Sequence, residues 1–175
     1  MNTVERIALT NDLTKLKTLF NPQYVKIFRT PDKAGCSYCL KLVVSAPSYV
    51  LRKSASGPIR TNKVVFYIDI LNGYPQTKPR VYYGDDEWLH HVNVFKTDGH
   101  SQCTDTWIPD DSSISELAEK TVRAIVFDKN VRRFDSMANS SLKGWQEDME
   151  RQGKLPTIDP ALLMRCNMRR SPRAV

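Results

Sequence analysis

The densest group of reactive side chains in this sequence lies between residues 90 and 105. It contains all three histidines of the chain and one of its four cysteines: His90, His91, His100 and Cys103. A cysteine thiolate is a nucleophile or a metal ligand, and an imidazole acts as a base or as a ligand. The segment therefore suits acyl transfer through Cys103, cysteine-dependent hydrolysis, zinc binding or a purely structural role.

Zinc binding and hydrolysis match these residue types but not their spacing. His91, His100 and Cys103 are possible zinc ligands, yet they lack the paired spacing of common zinc motifs. A hydrolase requires a histidine base beside Cys103 in space, and that base usually comes from a distant part of the fold. Both stay alternatives at the level of sequence.

The other cysteines give no clear chemical motif. Cys36 and Cys39 have the spacing of half a zinc site, but no second pair accompanies them. Cys39 lies in an alternating apolar pattern, so we interpret both thiols as part of the structural core. We also assign a structural role to Cys166. We expect the chain to bind no cofactor and no metal.

The segments before residue 90 follow clear hydrophobic patterns. Apolar residues at three- and four-residue spacing predict an amphipathic helix over residues 4–20. Alternating apolar residues predict four strands, at 24–30, 37–46, 63–71 and 80–83. Connections of this length favour an antiparallel meander over parallel crossovers.

The residues after the fourth strand lack a period until Ser113. An irregular stretch of roughly thirty residues inside a compact domain is usually functional when it is ordered. Ser113 and Glu116 form a capping box that predicts a helix to about Phe127. A last helix is predicted from Asp135-Ser136 to Gly153. This order indicates an α+β fold, with helices packed on one antiparallel sheet.

Composition restricts the class of protein. The chain has 175 residues, of which 41% are hydrophobic and 26% charged, as in a single globular domain. It has no apolar run long enough for a membrane span and no secretory leader pattern, so we expect a cytoplasmic protein with reduced cysteines. We assign residues 1–155 to one domain and residues 156–175 to an irregular basic tail.

The net charge of +7 favours acidic partners. Part of the excess lies in the tail, at Arg165, Arg169, Arg170 and Arg173. A solvated basic tail explains these arginines best, and docking on an acidic protein surface is the next interpretation. We expect no nucleic-acid partner, because no recognition motif accompanies the charge.

Six short motifs, all in one order, resemble motifs of ubiquitin-conjugating enzymes. They are Tyr74-Pro75-x-x-Lys78-Pro79-x-Val81, His91-Val92-Asn93, Asp98-Gly99 with Cys103-Thr104-Asp105, Trp107-Ile108-Pro109, Ser113-Ile114, and Asp135-Ser136-Met137-Ala138-Asn139. The second is similar to the family's His-Pro-Asn motif, and the third to the Gly-x-x-Cys-Leu-Asp segment around the active cysteine. The matches cover about Tyr74 to Trp145.

Several departures from the family pattern indicate a divergent branch. Val92 stands where the family has proline, and Asn93 precedes Cys103 by ten residues where about eight are usual. The span from Cys103 to Trp107 is shorter than in the family. Standalone proteins of this kind occur in bacterial antiviral operons, and the resemblance favours that setting.

The resemblance implies a ubiquitin-conjugating-enzyme-like fold: an N-terminal helix, a four-stranded antiparallel meander, a long active-site loop and two C-terminal helices. It also implies a transferase in which Cys103 carries a ubiquitin-like modifier as a thioester. Asn93 would stabilise the oxyanion or brace the loop, and His91 would be structural. Asp105 and Asp128 would orient the incoming lysine and assist its proton loss.

The partners implied are the modifier, a target protein with an acceptor amine, and an activating enzyme. The activating enzyme would dock on the N-terminal helix through Arg6, Lys15 and Lys17. One alternative is a non-catalytic module of the same fold that binds a modifier without forming a thioester. The other is a zinc-dependent enzyme that uses the histidines with Cys103.

Overall fold

The computed structural model describes residues 2–95, 99–104, 107–109, 111–131, 137–156 and 158–165. Within them, the helices are α1 (Thr3–Leu19), α2 (Ile114–Ile125) and α3 (Lys143–Arg151). The strands are β1 (Val25–Arg29), β2 (Cys36–Val44), β3 (Ser48–Arg52), β4 (Ile59–Thr61), β5 (Val64–Leu71), β6 (Arg80–Tyr83) and β7 (Glu87–Leu89). Short 3-10 helices span Lys129–Val131, Ser140–Leu142 and Pro160–Leu163. The α+β class is confirmed.

The four strands predicted from alternation form one antiparallel sheet in the order β1-β2-β5-β6. Leu40 and Leu42 of β2 lie opposite Ile68 and Phe66 of β5, and all four side chains are buried. Strand residues alternate between the two faces of a sheet, so the face with these residues packs on the core and the other face is partly exposed to solvent. The antiparallel arrangement of these four segments is confirmed.

A second sheet, in the order β4-β3-β7, was not predicted. In it Val50 pairs with Ile59 on one side and with Leu89 on the other. Strands β4 and β7 have three residues each, which is too short to show a hydrophobic period. Strand β7 lies in the stretch that we expected to be irregular, and it leads directly into His90.

Helix α1 buries Leu9 and Leu16, whereas Val4 and Ile7 are 72% and 57% exposed. The predicted apolar stripe therefore reaches the core only from the second turn onward. Helix α2 begins as predicted: the Ser113 hydroxyl accepts the Glu116 N–H, and the Glu116 carboxylate accepts the Ser113 N–H. A cap of this kind stabilises a helix by about 1 kcal/mol.

The C-terminal segments pack on the same body. Helix α3 starts at Lys143, while Asp135 and Ser136, where we predicted its start, lie outside the described residues. Residues 158–165, which we assigned to the tail, return to the end of α1, where the Asn21 N–H donates to the Leu163 carbonyl at 2.9 Å. Leu163 is fully buried. Residues 166–175, with Cys166 and most tail arginines, lie outside the described residues.

None of the helices in the described ranges has the length and hydrophobicity that crossing a membrane requires.

Candidate functional site

Asn93 and Cys103 are neighbours in space. An isolated antiparallel bridge pairs Val94 with Gln102, and the Cys103 N–H donates to the Asn93 carbonyl at 2.7 Å. Cys103 is partly exposed, and Asn93 is buried. Main-chain pairing therefore brings together two residues that are ten positions apart in sequence. Cys103 is the last residue of the paired segment.

His91 supports this arrangement from within the core. Its side chain is fully buried, and its Nδ1 accepts the Asn93 N–H at 3.1 Å. Its ring lies 5.2 Å from that of Phe127, just after α2. Because Nδ1 accepts this bond, it carries no proton. His91 thus fixes the backbone of Asn93 from one side.

Val92 makes one main-chain contact that a proline at the same position could not make. Its N–H faces the side-chain oxygen of Gln146 at 3.4 Å, and its carbonyl accepts the Asn139 N–H at 2.9 Å. Proline at this position has no N–H to donate. The valine ties the His91–Asn93 segment to α3 and to the residues before it.

The segment that carries Cys103 is also fixed to β6. The Gln102 N–H donates to the Val81 carbonyl at 2.9 Å, and the Tyr83 hydroxyl donates to the Gln102 side-chain oxygen at 2.8 Å. Burial raises the pKa of Tyr83 well above its ordinary value, so the phenol stays a donor at neutral pH. The Lys78 ammonium reaches the Thr104 carbonyl at 3.3 Å, on the other side of Cys103.

The Tyr-Pro and tryptophan motifs meet beside this segment. The Trp107 indole N–H donates to the Pro75 carbonyl at 2.7 Å, and its ring lies 5.9 Å from that of Tyr74. The Tyr74 hydroxyl binds the carboxylate of Asp12, which also accepts the Ile114 N–H at 3.1 Å. This buried carboxylate therefore joins α1, α2 and the turn before β6.

The three histidines pack against three different aromatic rings. The centroid distances are 4.4 Å for His90 with Trp145, 5.2 Å for His91 with Phe127 and 3.7 Å for His100 with Trp88. No three of His90, His91, His100 and Cys103 bring their ligand atoms within 4.8 Å of one another, as far as the described residues show. The geometry gives no support to a zinc centre at this position.

His100 adopts an unusual backbone conformation. Its φ is 53°, next to Gly99 at 63°, in the left-handed region that side chains rarely adopt. Its ring lies parallel to that of Trp88, with an angle of 3° between the planes. The two rings line a cavity of about 390 Å³ with His90, Phe95 and Leu142. The stack fixes the turn that precedes Cys103.

Of the two acidic residues assigned to lysine activation, only Asp128 lies within the described residues. Asp105 lies outside the described residues. Asp128 is buried after α2, where one carboxylate oxygen binds Arg123 at 2.8 Å and the other accepts the Asn130 N–H at 3.0 Å. It follows Phe127 in sequence, the residue that packs on His91.

The basic residues assigned to docking are accessible. Arg6, Lys15 and Lys17 are exposed on α1. The exposed Val4 and Ile7 lie on the same helix beside Arg6, so its first half presents apolar side chains and one basic side chain.

The roles of Asp12, Tyr83, Gln102 and Gln146 were not predicted from the sequence. Asp12 offered one clue, because it lies three residues after Leu9 and four before Leu16, on the buried stripe of α1. A carboxylate at such a position needs buried partners. Gln102 and Gln146 gave no comparable clue, because their partners are distant in sequence.

Comparison with protein-family models gave no match, and the search of curated proteins found none either.

Proposed function

We propose that this chain is a ubiquitin-conjugating-like carrier, which accepts a ubiquitin-like modifier as a thioester on Cys103 and passes it to an amine of a target protein. One observation carries the proposal: the partly exposed Cys103 is held by its own N–H against the carbonyl of Asn93, within the segment that resembles the family's active site. The proposal places the protein in the cytoplasm, in a bacterial antiviral pathway.

The arrangement of the elements supports the family's fold. Helix α1, the sheet β1-β2-β5-β6 and the capped helix α2 follow one another in the order expected for a ubiquitin-conjugating domain. The hairpin of β3 and β4, inserted between β2 and β5, is an addition to that plan. Motifs far apart in sequence also lie in contact, as Trp107 and Pro75 do.

The first step is a thioester exchange. The Cys103 thiolate attacks the modifier's C-terminal carbonyl carbon, a new carbon–sulfur bond forms, and the thiolate of the activating enzyme leaves. One thioester replaces another, so the step changes the free energy little. The main requirement is an accessible thiol.

The second step is the attack of an amine on that carbonyl. A carbon–nitrogen bond forms, the Cys103 thiolate leaves, and the amine gives up a proton to a carboxylate or to water. A free lysine has a pKa near 10.4, so a nearby carboxylate assists by orienting it and taking the proton. Asp105 and Asp128 are the candidates for this role.

Asn93 is the candidate donor for the oxyanion of the second step. One positioned amide donor stabilises such a charge by roughly 3–4 kcal/mol. In this proposal its main chain positions Cys103 and its side chain serves the carbonyl oxygen. The alternative is that the Asn93 side chain braces the loop. An oxyanion donor and a loop brace differ in their effect on transfer of the modifier from Cys103 to lysine.

Helix α1 is the proposed docking face for the activating enzyme. Arg6, Lys15 and Lys17 supply charge, which steers an acidic partner, while Val4 and Ile7 supply exposed apolar area. Asp12 joins this helix to α2, so the docking residues are held in a fixed relation to the core.

The test is a charging assay with activating enzymes, ATP and ubiquitin-like modifiers, read on gels with and without a reducing thiol. We expect a thiol-sensitive adduct with the unaltered chain, a thiol-resistant ester with Cys103→Ser and no adduct with Cys103→Ala. Cys36→Ser is the matched control and should charge normally. An adduct on Cys103→Ala would refute the proposal, and modifier binding without any adduct would favour the non-catalytic module.

A further inference from the structure

A second group of thiols lies away from Cys103, on the outer face of the four-stranded sheet. The sulfur atoms of Cys36 and Cys39 and a carboxylate oxygen of Asp69 all lie within 4.8 Å of one another. Cys39 and Asp69 are buried, and Cys36 is partly exposed. Within the described part of the chain, no other set of three such residues converges in this way.

The sheet itself brings these three residues together. Cys39 of β2 pairs directly with Asp69 of β5, so their side chains share one face. Residues three apart in a regular strand point to opposite faces. The pairing register shifts between Cys36 and Tyr38, and this bulge turns Cys36 to the face of Cys39.

We propose that Cys36, Cys39 and Asp69 bind a divalent metal ion of the zinc type through two thiolates and one carboxylate. Zinc favours tetrahedral sites with thiolate bonds of about 2.3 Å and carboxylate bonds of about 2.0–2.2 Å, so its ligand atoms lie roughly 3.5–3.8 Å apart. The three ligand atoms lie within 4.8 Å of one another, so they must move together by about 1 Å at most to reach that geometry. The partly exposed side, at Cys36, leaves a fourth position for water.

Lys33 competes with the proposed metal ion for the Asp69 carboxylate. Its ammonium lies 2.9 and 3.1 Å from the two carboxylate oxygens of Asp69, and it also binds the Tyr82 hydroxyl. The Lys33 side chain is 46% exposed, so it can swing away into water. It neutralises the buried carboxylate when no metal is bound, and a metal ion would take over that task.

The thiols must lose their protons to bind metal. A thiol that coordinates a cation is deprotonated. Metal binding here therefore releases protons and replaces a lysine–carboxylate pair with a cross-link between β2 and β5.

The test is a titration of the full-length, reduced chain with Co²⁺ in the absence of oxygen, followed by displacement with Zn²⁺. We expect one equivalent of cobalt, with thiolate-to-cobalt charge-transfer absorption and the visible bands of a tetrahedral site. Cys36→Ser and Asp69→Asn should weaken binding at least tenfold. Lys33→Gln should strengthen it several-fold, because it removes the competing ammonium.

Cys103→Ala is the matched control, since it removes a thiol outside this group and should titrate like the unaltered chain. Loss of the cobalt bands in Cys103→Ala would instead place the metal at the histidine-rich segment and overturn the proposal. So would an unchanged cobalt affinity in Cys36→Ser, or the absence of stoichiometric binding. If Asp69→Asn fails to fold, Cys36→Ser and Lys33→Gln decide, because both side chains reach the surface. The proposal is independent of thioester formation.

Discussion

The main-chain N–H of Cys103 donates a 2.7 Å hydrogen bond to the carbonyl of Asn93. This bond uses no side-chain atom of either residue, so both side chains can be altered while the main-chain pairing stays. It also joins two segments with separate anchors, since the first is tied to Gln146 and the second to Tyr83. Substitution of the Asn93 or Cys103 side chain therefore tests its chemistry separately from the position of the main chain.

Asn93→Ala should accept a modifier at the normal rate but discharge it to lysine more slowly. The loss of one oxyanion donor costs on the order of 10²–10³-fold in rate. Single-turnover discharge of the purified thioester to free lysine measures the effect. If slow discharge is accompanied by a lower melting temperature and slower charging, the side chain is a brace for the loop.

Asp128→Asn tests the acidic residue after α2, and Arg123→Gln provides its matched control. Both changes break the same partly buried ion pair, so each should lower the free energy of unfolding by about 1–3 kcal/mol. Only Asp128→Asn removes the carboxylate, so it should slow discharge to lysine beyond the effect of Arg123→Gln. Equal discharge rates would leave Asp128 a structural part of the α2 terminus.

Asp12→Ala should be strongly destabilising. It leaves the Tyr74 hydroxyl and the Ile114 N–H buried without their acceptor, and we expect a loss of about 2–4 kcal/mol. Tyr74→Phe should cost about 1–2 kcal/mol, because Asp12 keeps its bond to Ile114. Urea denaturation of both variants and of the double variant gives the coupling. Strict additivity would show that the Tyr74–Asp12 contact contributes nothing.

Stability should fall as the pH drops through the histidine range. Burial lowers the pKa of His90 below its ordinary 6.5, so the unfolded chain binds a proton where the folded chain does not. The stabilising contribution is therefore complete above about pH 6.5 and declines towards the folded pKa. Chemical denaturation between about pH 7.5 and about pH 5.5 should show the decline, and His90→Phe should reduce it. An unchanged slope in that variant would contradict the assignment.

Much of the sheet follows from the sequence because its strands are long enough to show a period. Strand β5 alternates over eight residues, and the Ser113 cap of α2 is a local motif. Strand β7 has three residues and exists through its pairing with β3, across more than thirty positions of chain. No local pattern specifies such a partner.

The candidate site also combines features that the sequence indicates with features that depend on distant contacts. Cys103 and Asn93 were identified through a resemblance, whereas the Asp12 bond and the Gln146 contact required the packing of distant helices. The Cys36 and Cys39 pair shows the limit clearly. Their spacing is visible in the sequence, but the bulge and the register that add Asp69 are properties of the assembled sheet.

The parallel stack of Trp88 and His100 gives the segment before Cys103 an optical property. Indole emission depends on the ring that it contacts and changes when that ring moves away. The two rings are 3.7 Å apart, and His100 stands three residues before the thiol. An acylation or docking event at Cys103 that shifts His100 would therefore change the native fluorescence of the protein, without a label.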